Sequence, residues 1–514
     1  MLLCALVCIG AAHPRDAASH PLADLEVGDP LERELRMLDL IPPGQRGSSI
    51  LLSHLGTRPL LRDVWNADSA YAGPGPLARV SWVRLARGLG RDASVVISDS
   101  LPASTPYAVS VTGTDGARFD FSPGLEGQAD ADRDTTRWAD GSGLQLRGAL
   151  GLDHWIGQLH LFVGEEAGGH LYTDPIVTNS DVIVQTDQAL IGYIAPRDRF
   201  GFRFGRGRWH WGPGNEASLV LSQTSAPLTA LELHLGLADG RLALSALSGA
   251  LQPSSGQQLA AHRIEWQPVD AVRLGASEAV RYHATGWSPL YVIGLIPYSL
   301  VQRLQNKDEP DSTNTLHNNV MISVDASWRV ALGTRLYGEF LVDDLHSRTN
   351  DNPDKLAYQV GWDGMGSLFG TRLSWNGEYT RLSRYIYTSN VGLEFSAQGR
   401  PLGFPTGPDA SRLLLDVRWD PNPDWQLIAT ALRQEKGEND LGEPFVQGSP
   451  RQPAWEFSGV VEHTRAAELG VRWWPAGGVD AAISAGYEWR ENAGHVAGAD
   501  RESAIGSFAL RLHR

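Results

Sequence analysis

The residues best equipped for chemistry crowd into RDRFGFRFGRGRWHWGPGNEASLVLS, residues 197–222. Phe200, Phe202 and Phe204 alternate with Arg199 and Arg203; Arg206, Arg208, Trp209, His210 and Trp211 then run into a Gly-Pro-Gly corner at 212–214. Arginine presents a planar fork of donors to carboxylates, and an indole face stacks on the apolar face of a sugar ring. Arg203, Arg206, Arg208, Trp209, His210 and Trp211 are therefore candidates for gripping an acidic polysaccharide. A tryptophan band at a membrane interface, followed by a glycine bend, would use the same residues with no ligand at all, and spacing alone favours that simpler use.

A second candidate pair is Glu339 and Asp343, which fall on the same side of a strand as Tyr337. Four residues of strand separate them by about 13 Å, beyond the roughly 5–9.5 Å used by glycosidic carboxylate pairs. Hydrolysis would need a further carboxylate from another strand, and a charged, wetted face explains the pair more simply. No HExxH, G-x-S-x-G, P-loop or dinucleotide fingerprint occurs, and the 15 His are scattered. The expectation is a binding protein without catalysis, metal or cofactor.

The elements that must position these residues follow from composition and period. The 514 residues include 17 Trp but only three lysines, Lys307, Lys355 and Lys436. A net charge of −15 argues against a nucleic-acid partner. Cys4 and Cys8 both lie in the apolar opening run Leu2 to Ala12, which fits a secretory leader; residues 1–20 are read as a signal peptide and the rest as cysteine-free. No later run of about 18 apolar residues offers a helical membrane span.

Residues 21–110 read as a small helical or mixed unit, with PLERELRMLDL at 30–40 its clearest helix. From 111 to 514 the period is two. In SRLLLDVRW (411–419) Leu413, Leu415, Val417 and Trp419 alternate with Arg412, Asp416 and Arg418. IEWQPVD (264–270), VRWDPNPD (417–424) and VRWWPAGGVD (471–480) share Trp-x-Pro, and ASWRVALGTR (326–335) is a proline-free version. Each ends one alternating strand and starts another. Longer polar stretches near 281–318, 344–355, 396–411, 434–456 and 490–502 lie between these tight turns.

Alternating faces, aromatic strand ends, short turns on one side and long loops on the other describe a closed antiparallel transmembrane β-barrel, with a large periplasmic β-sandwich or solenoid as the competing reading. At about 10 residues per strand, the stretch accommodates roughly 16–18 strands. The terminal FALRLHR alternates but lacks the final aromatic common in such barrels. Its lumen face would carry mixed charges, Asp325, Arg329, Arg335, Glu339, Asp343, Arg412, Asp416, Arg418 and Glu488, expected to pair with one another.

The chain resembles the Wzi family of outer-membrane capsule-assembly proteins. The family's Trp-Trp-Gly-Pro-Gly stretch and Ser-Leu strand stand here as HWGPGNEASLVLSQTSAPL (210–228), with His210 in place of the first Trp. PLERELRMLDLIPP with GTRPLLRD (56–63), LYGEFLVDD (336–344), and YIYTSN (385–390) with GRPLG (399–403) match further family segments in order, YIYTSN being read as a Tyr-rich strand. The resemblance implies an outer-membrane barrel of about eighteen strands, its small helical unit on the periplasmic side and expected to obstruct the lumen. It implies a surface lectin that anchors capsular or extracellular polysaccharide; a monomer set in outer-membrane lipid is expected. A passive porin for sugars or anions is the first alternative, and an outer-membrane hydrolase acting on glycan or lipid the second.

Overall fold

Alternation along each strand sends one side chain into the lumen and the next outward, so backbone pairing fixes both surfaces at once. The computed structural model describes residues 30–40, 75–88 and 109–513, apart from gaps at 113–117, 133–136, 153, 168–175, 178–181, 196–198, 253–255, 285–290, 292–295, 302–317, 346–352, 391, 447–448, 451–452 and 476–478. The signal-peptide reading and GTRPLLRD at 56–63 fall outside the described residues.

Eighteen antiparallel strands form one closed barrel. They are β1 (Arg118–Asp132), β2 (Arg137–Leu152), β3 (Trp155–Ala167), β4 (Ile183–Ile194), β5 (Phe200–Gly207), β6 (Leu228–Leu237), β7 (Leu242–Gln252), β8 (Gln257–Val269) and β9 (Val272–His283). The second half comprises β10 (Asn318–Ala331), β11 (Thr334–Asp344), β12 (Lys355–Leu368), β13 (Thr371–Leu382), β14 (Ala410–Asn422), β15 (Trp425–Lys436), β16 (Glu462–Trp473), β17 (Val479–Glu491) and β18 (Arg501–His513). Each pairs with its neighbour in the chain, and β18 returns to β1 in a register running from Gly124↔His513 to Asp132↔Ile505. A short extra strand, Val109–Thr112, pairs with the first residues of β1. Closure leaves no open sheet edge, which a wall standing in hydrocarbon requires.

The outer face is apolar. On β10, Val324 and Trp328 are 53% and 52% exposed while Ser323, Asp325 and Ser327, on the opposite face, are buried. Such a surface would drive aggregation in water and is well solvated by lipid. Trp155, Trp266, Trp328, Trp425 and Trp473 all lie exposed at the end of the barrel where turns are short. Register places Trp425 opposite Trp473, their rings 6.0 Å apart. Towards the long-loop end, Tyr358 meets Tyr379 at 6.0 Å and Trp455 at 5.4 Å, the opposite aromatic belt.

The recurrent Trp-x-Pro now has a physical reason. Pairing slips between Trp266 and Val269 and again between Trp419 and Asn422, the intervals that contain Pro268 and Pro421. Proline has no N–H to donate, so it is tolerated where the ladder is already interrupted.

Among the described residues no helix is long and apolar enough to cross a membrane. Two shorter helices, α1 (Pro30–Asp39) and α2 (Gly75–Gly88), pack on each other at the short-turn end. The Gly333 N–H in the β10–β11 turn donates to Leu40 O at 3.0 Å, and Arg84 Nε donates to Pro423 O at 2.9 Å in the β14–β15 turn. From there α1 enters the lumen. Arg33 reaches Asp416 at 3.2 Å, and Arg372 spans from Glu34 to Asp420, at 2.7 Å each.

One expected strand is corrected. YIYTSN at 385–390 lies beyond the end of β13 in a turn, with Ile386 and Tyr387 fully buried. Its aromatics pack inward with the loop described next.

Candidate functional site

The connection between β5 and β6, residues 208–227, folds down into the barrel. Its corner begins where Trp211 N–H donates to Leu221 O at 2.9 Å. Gly212 has φ +142, and a Cβ there would strike Ser218 Oγ and Glu339. Glycine is thus demanded twice at this position, by backbone conformation and by space.

The lumen wall supplies partners for the corner. Leu219 N donates to Glu339 Oε2 at 3.0 Å, and Ser218 Oγ donates to the same oxygen at 3.1 Å. Asn215 donates from its backbone N to Glu378 Oε2 at 2.8 Å and from Nδ2 to Tyr337 Oη and Asp363 Oδ2, both at 3.1 Å. Gln359 Nε2 donates to Ala217 O at 3.1 Å. These wall residues come from β11, β12 and β13, whose pairing sets Glu339 opposite Gln359 and Gln359 opposite Thr380.

The connection between β13 and β14 folds inward beside it. Tyr387 Oη donates to Leu219 O at 2.6 Å, Tyr387 N donates to Asp343 Oδ2 at 2.9 Å, and Ser222 N donates to Leu402 O at 2.8 Å. Trp209, Trp211, Leu219 and Leu221 share an apolar core with Ile386, Tyr387, Phe395 and Phe404. From the other side, Arg36 of α1 donates to Gly214 O at 3.4 Å and Asn215 Oδ1 at 3.3 Å. Helix and loop therefore meet inside the barrel.

Five of the residues expected to contact ligand lie buried. Arg203, Trp209, His210, Trp211 and Glu339 are each at most 4% exposed, so a polymer arriving from outside meets none of them in this conformation. Arg203 Nε donates to Glu232 on the adjacent strand at 2.7 Å. His210 donates from Nε2 to Gly214 O at 3.1 Å and accepts at Nδ1 from Gln223 N at 3.5 Å, a tautomer assigned from these partners. Arg206 and Arg208 keep part of their surface. Arg206 Nε donates to Thr186 O at 3.1 Å, and Arg208 donates to Gln223 O, Ser225 O and Asp187, each at 3.1 Å. Asp343, also partly exposed, serves the Tyr387 backbone. Phe200 and Phe204, by contrast, face lipid.

Of the nine lumen charges expected to pair with one another, Asp416 and Arg418 do so, while most of the rest find charged partners outside that set. Asp325 joins Arg263, Arg335 joins Asp363, Arg412 joins Glu216, and Asp416 joins Arg33 and Arg418. Arg329 reaches Asp39 of α1, and Glu488 joins Arg490. Glu339 is occupied by the loop rather than open to substrate. Sequence reasoning missed Asn215, Ser218, Gln359, Glu378 and Tyr387. Strand alternation carried a signal for Gln359 and Glu378, whereas nothing in the sequence said which loop they hold.

Comparison with solved structures places this architecture. Wzi of Escherichia coli, described as an outer-membrane protein involved in group 1 capsule assembly and a carbohydrate-binding β-barrel, superposes with a TM-score of 0.63 at 16% identity, covering 95% of this chain and 99% of that one. Pseudomonas aeruginosa OprD overlaps more loosely, with a TM-score of 0.42 at 9% identity over 77% of this chain and 95% of that one. No curated protein sequence matches. The family model for the capsule assembly protein Wzi matches residues 160–504, well over half the chain. This outer-membrane β-barrel therefore belongs to the Wzi capsule assembly family.

Proposed function

We propose that this protein binds capsular or extracellular polysaccharide and anchors it at the cell surface, acting by attachment and not by chemistry. Family membership supports capsule assembly as the process. The observation that carries a binding role is that the lumen is occupied: α1 enters from the short-turn end and the 208–227 loop meets it, through Arg36 with Gly214 and Asn215. A barrel so occupied has its outer surface to offer to a long polymer.

Within this proposal Trp209, His210, Trp211, Arg203, Glu339 and Asp343 are positioning residues that hold the inserted loops. Arg206 and Arg208 remain the candidates for direct contact with an anionic glycan. A single chain closes the whole wall, so a monomer suffices. The test is twofold. Cells lacking the protein should release capsular or matrix polysaccharide into the medium; normal retention would sink the proposal. Detergent-solubilised protein carrying Arg206→Ala and Arg208→Ala should fold but bind isolated acidic polysaccharide at least several-fold more weakly. Unchanged affinity would move the contact elsewhere on the outer loops.

A further inference from the structure

Within the stretch 281–318, read from the sequence as polar, one part of the loop between β9 and β10 is instead apolar: residues 290–301 read LYVIGLIPYSLV. Its described part packs on the outside of the wall. Tyr291, Tyr298 and Val301 are buried against Val280 and Tyr282 of β9 and Val320 of β10. Register pairs Val280 with Val320, on the face that carries exposed Ile322 and Trp328 further down β10.

Register also gives the depth. Glu278 of β9 pairs with Ile322, and Trp328 marks the short-turn rim. From Trp328 to Ile322 the strand climbs about 15 Å, at ~3.3 Å per residue and a tilt of ~40°. Glu278 therefore faces outward within an apolar band about 25 Å tall. A carboxylate at that depth is strongly unfavourable against hydrocarbon. The loop covers it. Tyr298 N and Ser299 N donate to its two oxygens at 2.7 and 2.8 Å, His262 Nε2 lies 3.2 Å from Oε2, and the Tyr298 ring sits 4.5 Å from that of His262. Tyr298 Oη donates inward to Tyr291 O at 3.0 Å, while Leu300, on the far side of the segment, is 47% exposed.

We propose that Tyr291 and residues 296–301 are inserted in the outer leaflet, latched by Glu278, with Leu300 against lipid acyl chains. The occupant follows from continuity: the segment replaces lipid on a wall whose remaining outward face is itself apolar and exposed. The inference rests on the membrane-spanning barrel and is independent of glycan binding, so failure of either leaves the other standing.

The experiment uses the full chain with Cys4→Ser and Cys8→Ser, a nitroxide on Leu300→Cys, and phosphatidylcholine vesicles. Reference labels sit on Ile322→Cys, facing lipid, and on Val446→Cys, 70% exposed in the β15–β16 loop. Collision rates with oxygen and with a water-soluble nickel complex are compared. The oxygen-to-nickel ratio at position 300 should match that at 322 and exceed that at 446 several-fold. A ratio like that at 446 overturns the proposal, and so does dipolar broadening between labels, which would put a second copy of the chain there. Adding Glu278→Ala should lower the ratio at 300 several-fold; an unchanged ratio overturns the latch.

Discussion

Glu34 is a carboxylate pulled in two directions. Burial raises its pKa, but the Arg372 and Arg84 guanidinia at 2.7 and 2.8 Å outweigh burial and hold it well below the usual carboxylate range. Because the folded value is depressed, its contribution to docking α1 is fully present above the ordinary carboxylate pKa and is lost as pH falls through the folded value. Amide exchange in α1 should therefore remain slow at pH 5 and accelerate only well below pH ~4; loss of protection already at pH 5 would contradict this. Glu34→Gln removes one partner from a buried charge cluster, a change that typically costs about 3–5 kcal/mol. It should raise exchange in α1 at neutral pH while leaving the strands protected. The inward side of Arg372 and Asp420 was legible from alternation. Their partner was not, since Glu34 is 338 residues from Arg372 and no local pattern records so distant a contact.

At the level of elements, the inserted loop is held by geometry that a single methyl group would disturb. Gly212→Ala sets a side chain into a left-handed backbone position and into Ser218 and Glu339. Strain of this kind costs of order 1–3 kcal/mol, so the loop should detach while the barrel still folds. Protease cleavage within 208–227 should become detectable in intact cells, and its absence would show that the corner tolerates the methyl. The strands, their short turns and the tryptophan ends were legible because period two and Trp-x-Pro are local signals. The burial of Trp209 and Trp211 was not, because an indole suits a membrane belt, a sugar face and an apolar core equally well. Only the acids on β11 and β13 decide among them, Glu339 and Glu378 accepting from the backbone N–H groups of Leu219 and Asn215.

For the whole molecule, filling from both ends predicts conduction. Intact protein in planar bilayers should pass no steady current, and a porin-like open level would show that helix and loop leave a continuous path. A chain lacking residues 20–110 loses α1 but keeps the 208–227 loop. Its conductance should rise less than that of a chain lacking both, since the loop alone still binds across β11 to β13. The wall itself has one joint unlike the rest. Every other hairpin joins neighbours in the chain, but β1 meets β18 by bringing Gly124 to His513. Pairing so distant along the chain is entropically slow to form. The seam is thus the one wall pairing that no hairpin brings together, and a defect in β1 or β18 would leave seventeen joints made and the cylinder standing open.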